Sequence, residues 1–106
     1  MAVYQLYFYV PETHLELVKE AIFEVGAGTM GTYSRCSWQV KGEGQFCSDP
    51  GSKPYIGDIG EVTKMAEFKV ETLCTEQNLE AVLMALHKTH PYEMPAYGVL
   101  ELIRNK

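Results

Sequence analysis

Val3 to Val10 (VYQLYFYV) limits the fold more than any other stretch, because it is strand-forming and carries apolar residues on both sides. β-Branched and aromatic residues dominate it. With a period of two, Tyr4, Leu6, Phe8 and Val10 share one face, and Val3, Gln5, Tyr7 and Tyr9 share the other. Such a strand needs cover on both faces. It is expected in the centre of a sheet, or beneath another subunit.

The rest of the chain supplies partners for it. Pro11 stops the strand and suits a first helical turn. Thr13 and Glu16 have capping-box spacing, and Leu15, Val18, Ile22 and Val25 recur at steps of three and four, so a helix with one core stripe is predicted. Gly26 and Gly28 are expected to end it. Tyr33 to Lys41 reads as the next strand, with Cys36, Trp38 and Val40 on one face and Arg35, Ser37 and Gln39 on the other. Gly42 to Gly44 reads as a turn, and Gln45 to Cys47 as a short returning strand. Residues 48–64 (SDPGSKPYIGDIGEVTK) read as a long irregular loop, of a length that is usually functional. Met65 to Cys74 alternates cleanly as a strand, with Ala66, Phe68, Val70 and Thr72 on one face and Glu67, Lys69 and Glu71 on the other. Thr75 then caps a second helix, with Leu79, Val82, Leu83 and Leu86 inward. Pro91 ends that helix and pushes His90 just outside it. Ala96 to Ile103 is the last strand.

The order β-α-β-β-α-β predicts one α+β domain over residues 1–106. It is a ferredoxin-like sandwich with two helices on one face of a mostly antiparallel sheet and an elaborated loop between the middle strands. That order does not identify a function. At 106 residues with net charge −5 and no run of Lys or Arg, the chain is a poor partner for nucleic acid or an anionic membrane surface. No stretch reaches the roughly 20 apolar residues of a bilayer span. Three widely spaced cysteines, Cys36, Cys47 and Cys74, argue against a disulfide framework, so a reducing, cytoplasmic compartment is expected.

Five features carry candidate chemistry. His87, His90 and Glu93 combine imidazole and carboxylate in the manner of a zinc, nickel or copper site, although Pro91 biases His90 away from the helical face that would pair it with His87. Cys36 and Cys74 fall on apolar strand faces as inert packing, while Cys47 lies near a loop. The glycines of Gly26 to Gly31 (GAGTMG) follow a helix and precede a strand, the reverse of a dinucleotide fingerprint, so they read as a C-cap and tight turn. No pair of acidic residues surrounds a nucleophile on a rigid scaffold, and nothing requires an enzyme. His90 to Tyr97 (HPYEMPAY) packs two prolines, two tyrosines, a histidine and a glutamate into eight residues, either as a rigid connection or as a pre-organised contact for a ligand or subunit.

Gly26-Ala27-Gly28 followed by Gly31, Tyr33, Ser34, Cys36 and Ser37 is similar to the GAGxxGxYSxCS pattern of the domain inserted in Nif-type (NGG-interacting-factor-like) dinuclear-metal-centre proteins. Gly42-Glu43-Gly44-Gln45-Phe46, Pro54-Tyr55-Ile56-Gly57, His90-Pro91-Tyr92-Glu93 and Pro95-Ala96-Tyr97 match in the same order, across nearly the whole chain. The chain departs from the pattern at Met94, usually acidic, and at Gly98, often Asp. The resemblance implies a ferredoxin-like fold of CutA and PII type, commonly associated in threes. In the family's hexamers this domain forms a lid, and most ligands of the dinuclear metal site lie in the flanking halves. It therefore implies no hydrolase or cyclohydrolase activity for these residues. Short relatives of the domain also exist, and this chain resembles them in length.

Together these features predict a small homo-oligomeric binding or regulatory module, with a trimer favoured and the cofactor left open. Clefts between subunits are the natural ligand sites, with Tyr33, Cys36, His90, Tyr92, Glu93 and Tyr97 as candidates. Two alternatives stand beside it: a CutA-like divalent-metal or metal-tolerance protein using His90 and Glu93, and an accessory protein docking through residues 48–64.

Overall fold

The computed structural model describes residues 2–103. Its elements are β1 (Val3–Val10), α1 (Glu12–Glu24), β2 (Ser37–Cys47), β3 (Val62–Thr75), α2 (Glu76–Thr89) and β4 (Tyr97–Leu102). The strands form one antiparallel sheet in the order β2-β3-β1-β4. β1 lies inside the sheet, between β3 and β4, one of the two placements its apolar faces predict. It pairs with β3 from Val3↔Thr75 to Val10↔Phe68 and with β4 from Val3↔Leu102 to Phe8↔Tyr97.

Both helices pack on one face. Leu6, Phe8, Val10, Val70 and Cys74 of the sheet meet Leu15, Val18 and Ile22 of α1 and Val82 and Leu86 of α2 in one buried cluster, with Leu79 and Leu83 packed at its edge. Burial of these side chains is the dominant stabilising contribution, each worth about 1.5–3 kcal/mol relative to exposure. The opposite face carries Tyr7, Tyr9, Glu67, Lys69, Glu71, Trp38 and Val40 by the same alternation.

Several local expectations are corrected. No turn forms at Gly42 to Gly44: β2 runs unbroken to Cys47, with Gly42 opposite Glu67 and Gly44 opposite Met65. A continuous β3 supplies partners along the whole length, which overrides the turn tendency of isolated glycines. The Glu67 carboxylate occupies the space that a Cβ at Gly44 would take. β3 starts at Val62, so the loop is 48–61, and it closes on itself through the Gly60 N–H donating to the Ser48 carbonyl at 2.7 Å.

The segment before β2 is not strand. Met30 and Tyr33 exchange backbone bonds across a tight turn, and Arg35 takes φ 58°, held by Glu20 and Glu24 of α1. Cys36 consequently precedes β2 and is half-buried instead of lying on an apolar strand face. The Thr13–Glu16 capping box does not form. Pro11 takes the N-cap position, and the Thr13 hydroxyl contacts His14 Nδ1. Thr75 does sit at the N-cap of α2, without a side-chain bond. Val25 lies past the end of α1 and is 37% exposed, leaving the core stripe to Leu15, Val18 and Ile22.

Candidate functional site

Helices of 13 and 14 residues span about 20 Å, whereas the 14-residue β3 spans about 46 Å, close to the molecule's 49 Å long axis. The β2–β3 ribbon therefore runs beyond the helix layer. At that end the loop 48–61 and the connection from α2 to β4 close on the ribbon and border a half-open cavity of about 320 Å³. Tyr9, Phe46, Tyr55, Tyr92, Glu67 and Glu93 form its character. Among the described residues, no lysine, arginine or histidine lines it.

His90 organises this end. Helix α2 stops there because Pro91 follows, and His90 takes extended backbone angles, φ −72° and ψ 136°. Its buried ring bridges two main-chain groups. Nε2–H donates to the Tyr9 carbonyl at 2.7 Å, and Nδ1 accepts the Tyr92 N–H at 3.1 Å. Those two bonds together define the neutral Nε2–H tautomer. The ring also meets Tyr92 edge-on at 4.9 Å. Tyr92 turns its hydroxyl to Glu67, donating to Oε2 at 2.7 Å, beside Met65 Sδ at 3.0 Å. Burial first, and then the Glu67 bond and charge, push the phenol above its usual range, so Tyr92 remains a donor. Phe46 and Tyr55 flank Tyr92, each 6.2 Å away. Glu93 Oε1 accepts the Lys53 N–H at 2.9 Å, and the Tyr55 ring meets His14 at 5.7 Å, so the loop is tied to the connection and to α1.

Burial lowers the His90 pKa from 6.5, the Tyr9 carbonyl opposing in part. The folded state thus binds this proton less readily than the unfolded chain. The stabilisation from neutral His90 is fully present above about pH 6.5 and is lost as pH falls through the lowered folded value. Urea unfolding at pH 7.5 and 5.5 should show a larger acid loss for the wild type than for His90→Gln. Glu67, His14 and His87 also lie within electrostatic reach, and their contributions are common to both proteins. Equal acid losses would dismiss this role.

Of the six residues nominated from sequence, Tyr92 and Glu93 line the cavity and His90 supports it from behind. The other three lie elsewhere. Tyr97 faces the helices and packs edge-on against His87 at 5.1 Å. Tyr33 is 72% exposed and borders a separate hollow with Val3, Gly31 and Thr75, at the other end of the sheet. Cys36 lies at that end too, its N–H donating to the Gly28 carbonyl at 2.9 Å and its carbonyl accepting the Thr72 hydroxyl at 2.7 Å. Sequence reasoning missed Tyr9, Phe46, Tyr55 and Glu67 as lining residues. Phe46 and Tyr55 stand inside the GEGQF and PYIG segments, and the strand alternation already put Glu67 on the face turned from the core.

Among the described residues, no three His, Cys, Asp or Glu side chains converge. His87, His90 and Glu93 are not brought to one point: the His87 ring is engaged with the Leu83 carbonyl, and both His90 nitrogens are engaged with main chain. The described residues therefore do not fit a dinuclear metal centre. No helix of the described chain is long and apolar enough to cross a membrane.

The chain is 45% identical over 95 residues to the GTP cyclohydrolase 1 type 2 homolog of Mycobacterium leprae, covering 90% of this chain and 25% of that protein. It thus spans about a quarter of the length of the curated relatives it matches. Among solved structures, a Bacillus cereus protein related to NIF3 superposes with TM-score 0.84 at 31% identity, over 97% of this chain and 26% of that one. CutA from Archaeoglobus fulgidus superposes with TM-score 0.70 at 14% identity, over 98% of this chain and 87% of that one. GlnK from B. subtilis does so with TM-score 0.63 at 12% identity, over 96% and 86%. The last two likenesses concern the fold alone. No protein-family model matches the chain.

Proposed function

Since this chain is a relative of a segment of the GTP cyclohydrolase 1 type 2 homologs, built on the ferredoxin-like fold that CutA and GlnK share, we propose that it works as a small homo-oligomeric binding module, a trimer, in sensing or regulation. The observation that carries this reading is the face of the sheet turned away from the helices. Trp38, Val40 and Leu100 on that face are 58%, 45% and 52% exposed, and the rings of Tyr7 and Tyr9 stand between them. Glu67, Lys69 and Glu71 of β3 run between the β2 and β1 side chains as a polar strip, Glu71 accepting from Gln5 and pairing with Lys69. Exposed apolar and aromatic side chains gathered on one sheet face and bordered by polar groups favour an association surface. A second copy of the chain is the occupant we favour, in keeping with the threefold association that the family resemblance implies. Tyr9 belongs both to this face and to the cavity, so association would place the ligand site beside a subunit boundary. Within the site, Tyr92 and Glu93 are the proposed ligand contacts and His90 their support. The reading assigns no catalytic activity to the chain.

Native mass spectrometry tests it. Wild-type protein at tens of micromolar is expected as a trimer, and the double substitution Trp38→Asp with Leu100→Asp as a folded monomer. A wild-type monomer at that concentration would overturn the oligomeric reading.

A further inference from the structure

We propose that the cavity between the loop 48–61 and the α2–β4 connection takes a small organic cation, of the ammonium or amidinium class. The inference rests on the binding-module reading and adds the sign of the ligand's charge. Four rings, Tyr9, Phe46, Tyr55 and Tyr92, border the space, and the faces of such rings are electron-rich. Glu67 and Glu93 border it as well, with no basic side chain among the described lining residues. Neither carboxylate belongs to an ion pair among the described residues. Lys69, the nearest basic residue along β3, is engaged with Glu71 at 3.7 Å and lies over the Tyr7 ring.

The two carboxylates are also held in place. The Tyr92 hydroxyl fixes one oxygen of Glu67, and the absence of a side chain at Gly44 makes room for the other. The Lys53 N–H fixes one oxygen of Glu93. A cation entering here meets four aromatic rings and two positioned acceptors, and no described lining residue carries a competing positive charge. An anion, a phosphate ester included, meets two like charges and no donor of positive charge, so the site selects against it. The volume, about 320 Å³, is at the small end of ligand pockets and suits one ring-sized molecule.

The probes are benzamidine, benzamide and benzoate, which share size and shape and differ in charge. Each is titrated into the 15N-labelled full chain at pH 7.5 and followed by amide chemical shifts. Benzamidine is expected to shift the amides of residues 44–56 and 92–96, with a dissociation constant on the order of 1 mM, as suits so few atoms. Benzoate is expected to leave them unmoved. Glu67→Gln and Glu93→Gln, each checked for an intact spectrum, should weaken benzamidine about tenfold. Phe46→Leu should weaken it several-fold while leaving its preference over benzoate. Benzoate or benzamide binding as tightly as benzamidine would overturn the charge assignment while leaving the cavity a ligand site. Silence from all three probes would overturn both.

Discussion

Phe8→Ala is expected to destabilise the fold by about 3–5 kcal/mol. Phe8 is the largest fully buried side chain, placed on the central strand between Val70 of β3 and Tyr97 of β4, under both helices. Its removal empties the middle of the only layer where sheet and helices meet, and neighbours tied into three strands cannot collapse to fill it. In a thermal scan the midpoint should fall by roughly 12 °C or more, given about 4–8 °C per kcal/mol for a domain of this size. Leu17→Ala, on the outer side of α1 with Leu17 56% exposed, should change it little. If the two substitutions cost the same, the core does not lie where the packing puts it.

Gly28→Ala should cost about 3 kcal/mol, for a different physical reason. Gly28 has φ +79°, and a Cβ built there lies 2.8 Å from both the N and the O of Cys36. These are backbone atoms and cannot swing aside. The Gly28 N–H donates to the Leu73 carbonyl at 2.7 Å, and its carbonyl accepts the Cys36 N–H at 2.9 Å. Shifting the chain to admit a methyl group therefore strains the link between α1, β3 and the start of β2. Gly31→Ala separates the two contributions. Gly31 also has positive φ, +58°, but nothing lies within 4 Å of a Cβ there. It should lose only the left-handed backbone preference, about 1–2 kcal/mol. Urea titrations of both variants decide the matter: equal losses would mean that the Cys36 contact is not what requires glycine at residue 28.

The candidate site was legible only in fragments. His90, Tyr92 and Glu93 stood out because two prolines and several polar tips crowd one short segment, and the structure puts that segment on the cavity. Tyr33, Cys36 and Tyr97 were nominated on the same grounds of motif and residue type, yet strand direction sends them to the far end of the sheet or to its helix-covered face. Conversely, Glu67 looked like one of several solvated positions on an alternating strand. What distinguishes it is a tyrosine that arrives from 25 residues away in sequence. Proximity across such a separation depends on how elements pack, and no local pattern encodes it.

Hydrophobic periodicity, punctuated by Pro11, Gly26 and Pro91, determined the element order, the doubly apolar character of β1 and most of the inward residues of both helices, because burial acts residue by residue along a regular repeat. The tertiary structure decided where periodicity is silent. Strand pairing turned Gly42 to Gly44 from a turn into ladder. Helices too short for the ribbon left its far end free for the loop and the α2–β4 connection to border a half-open cavity. Two main-chain bonds to one histidine ring then fixed the position of Tyr92 in its wall.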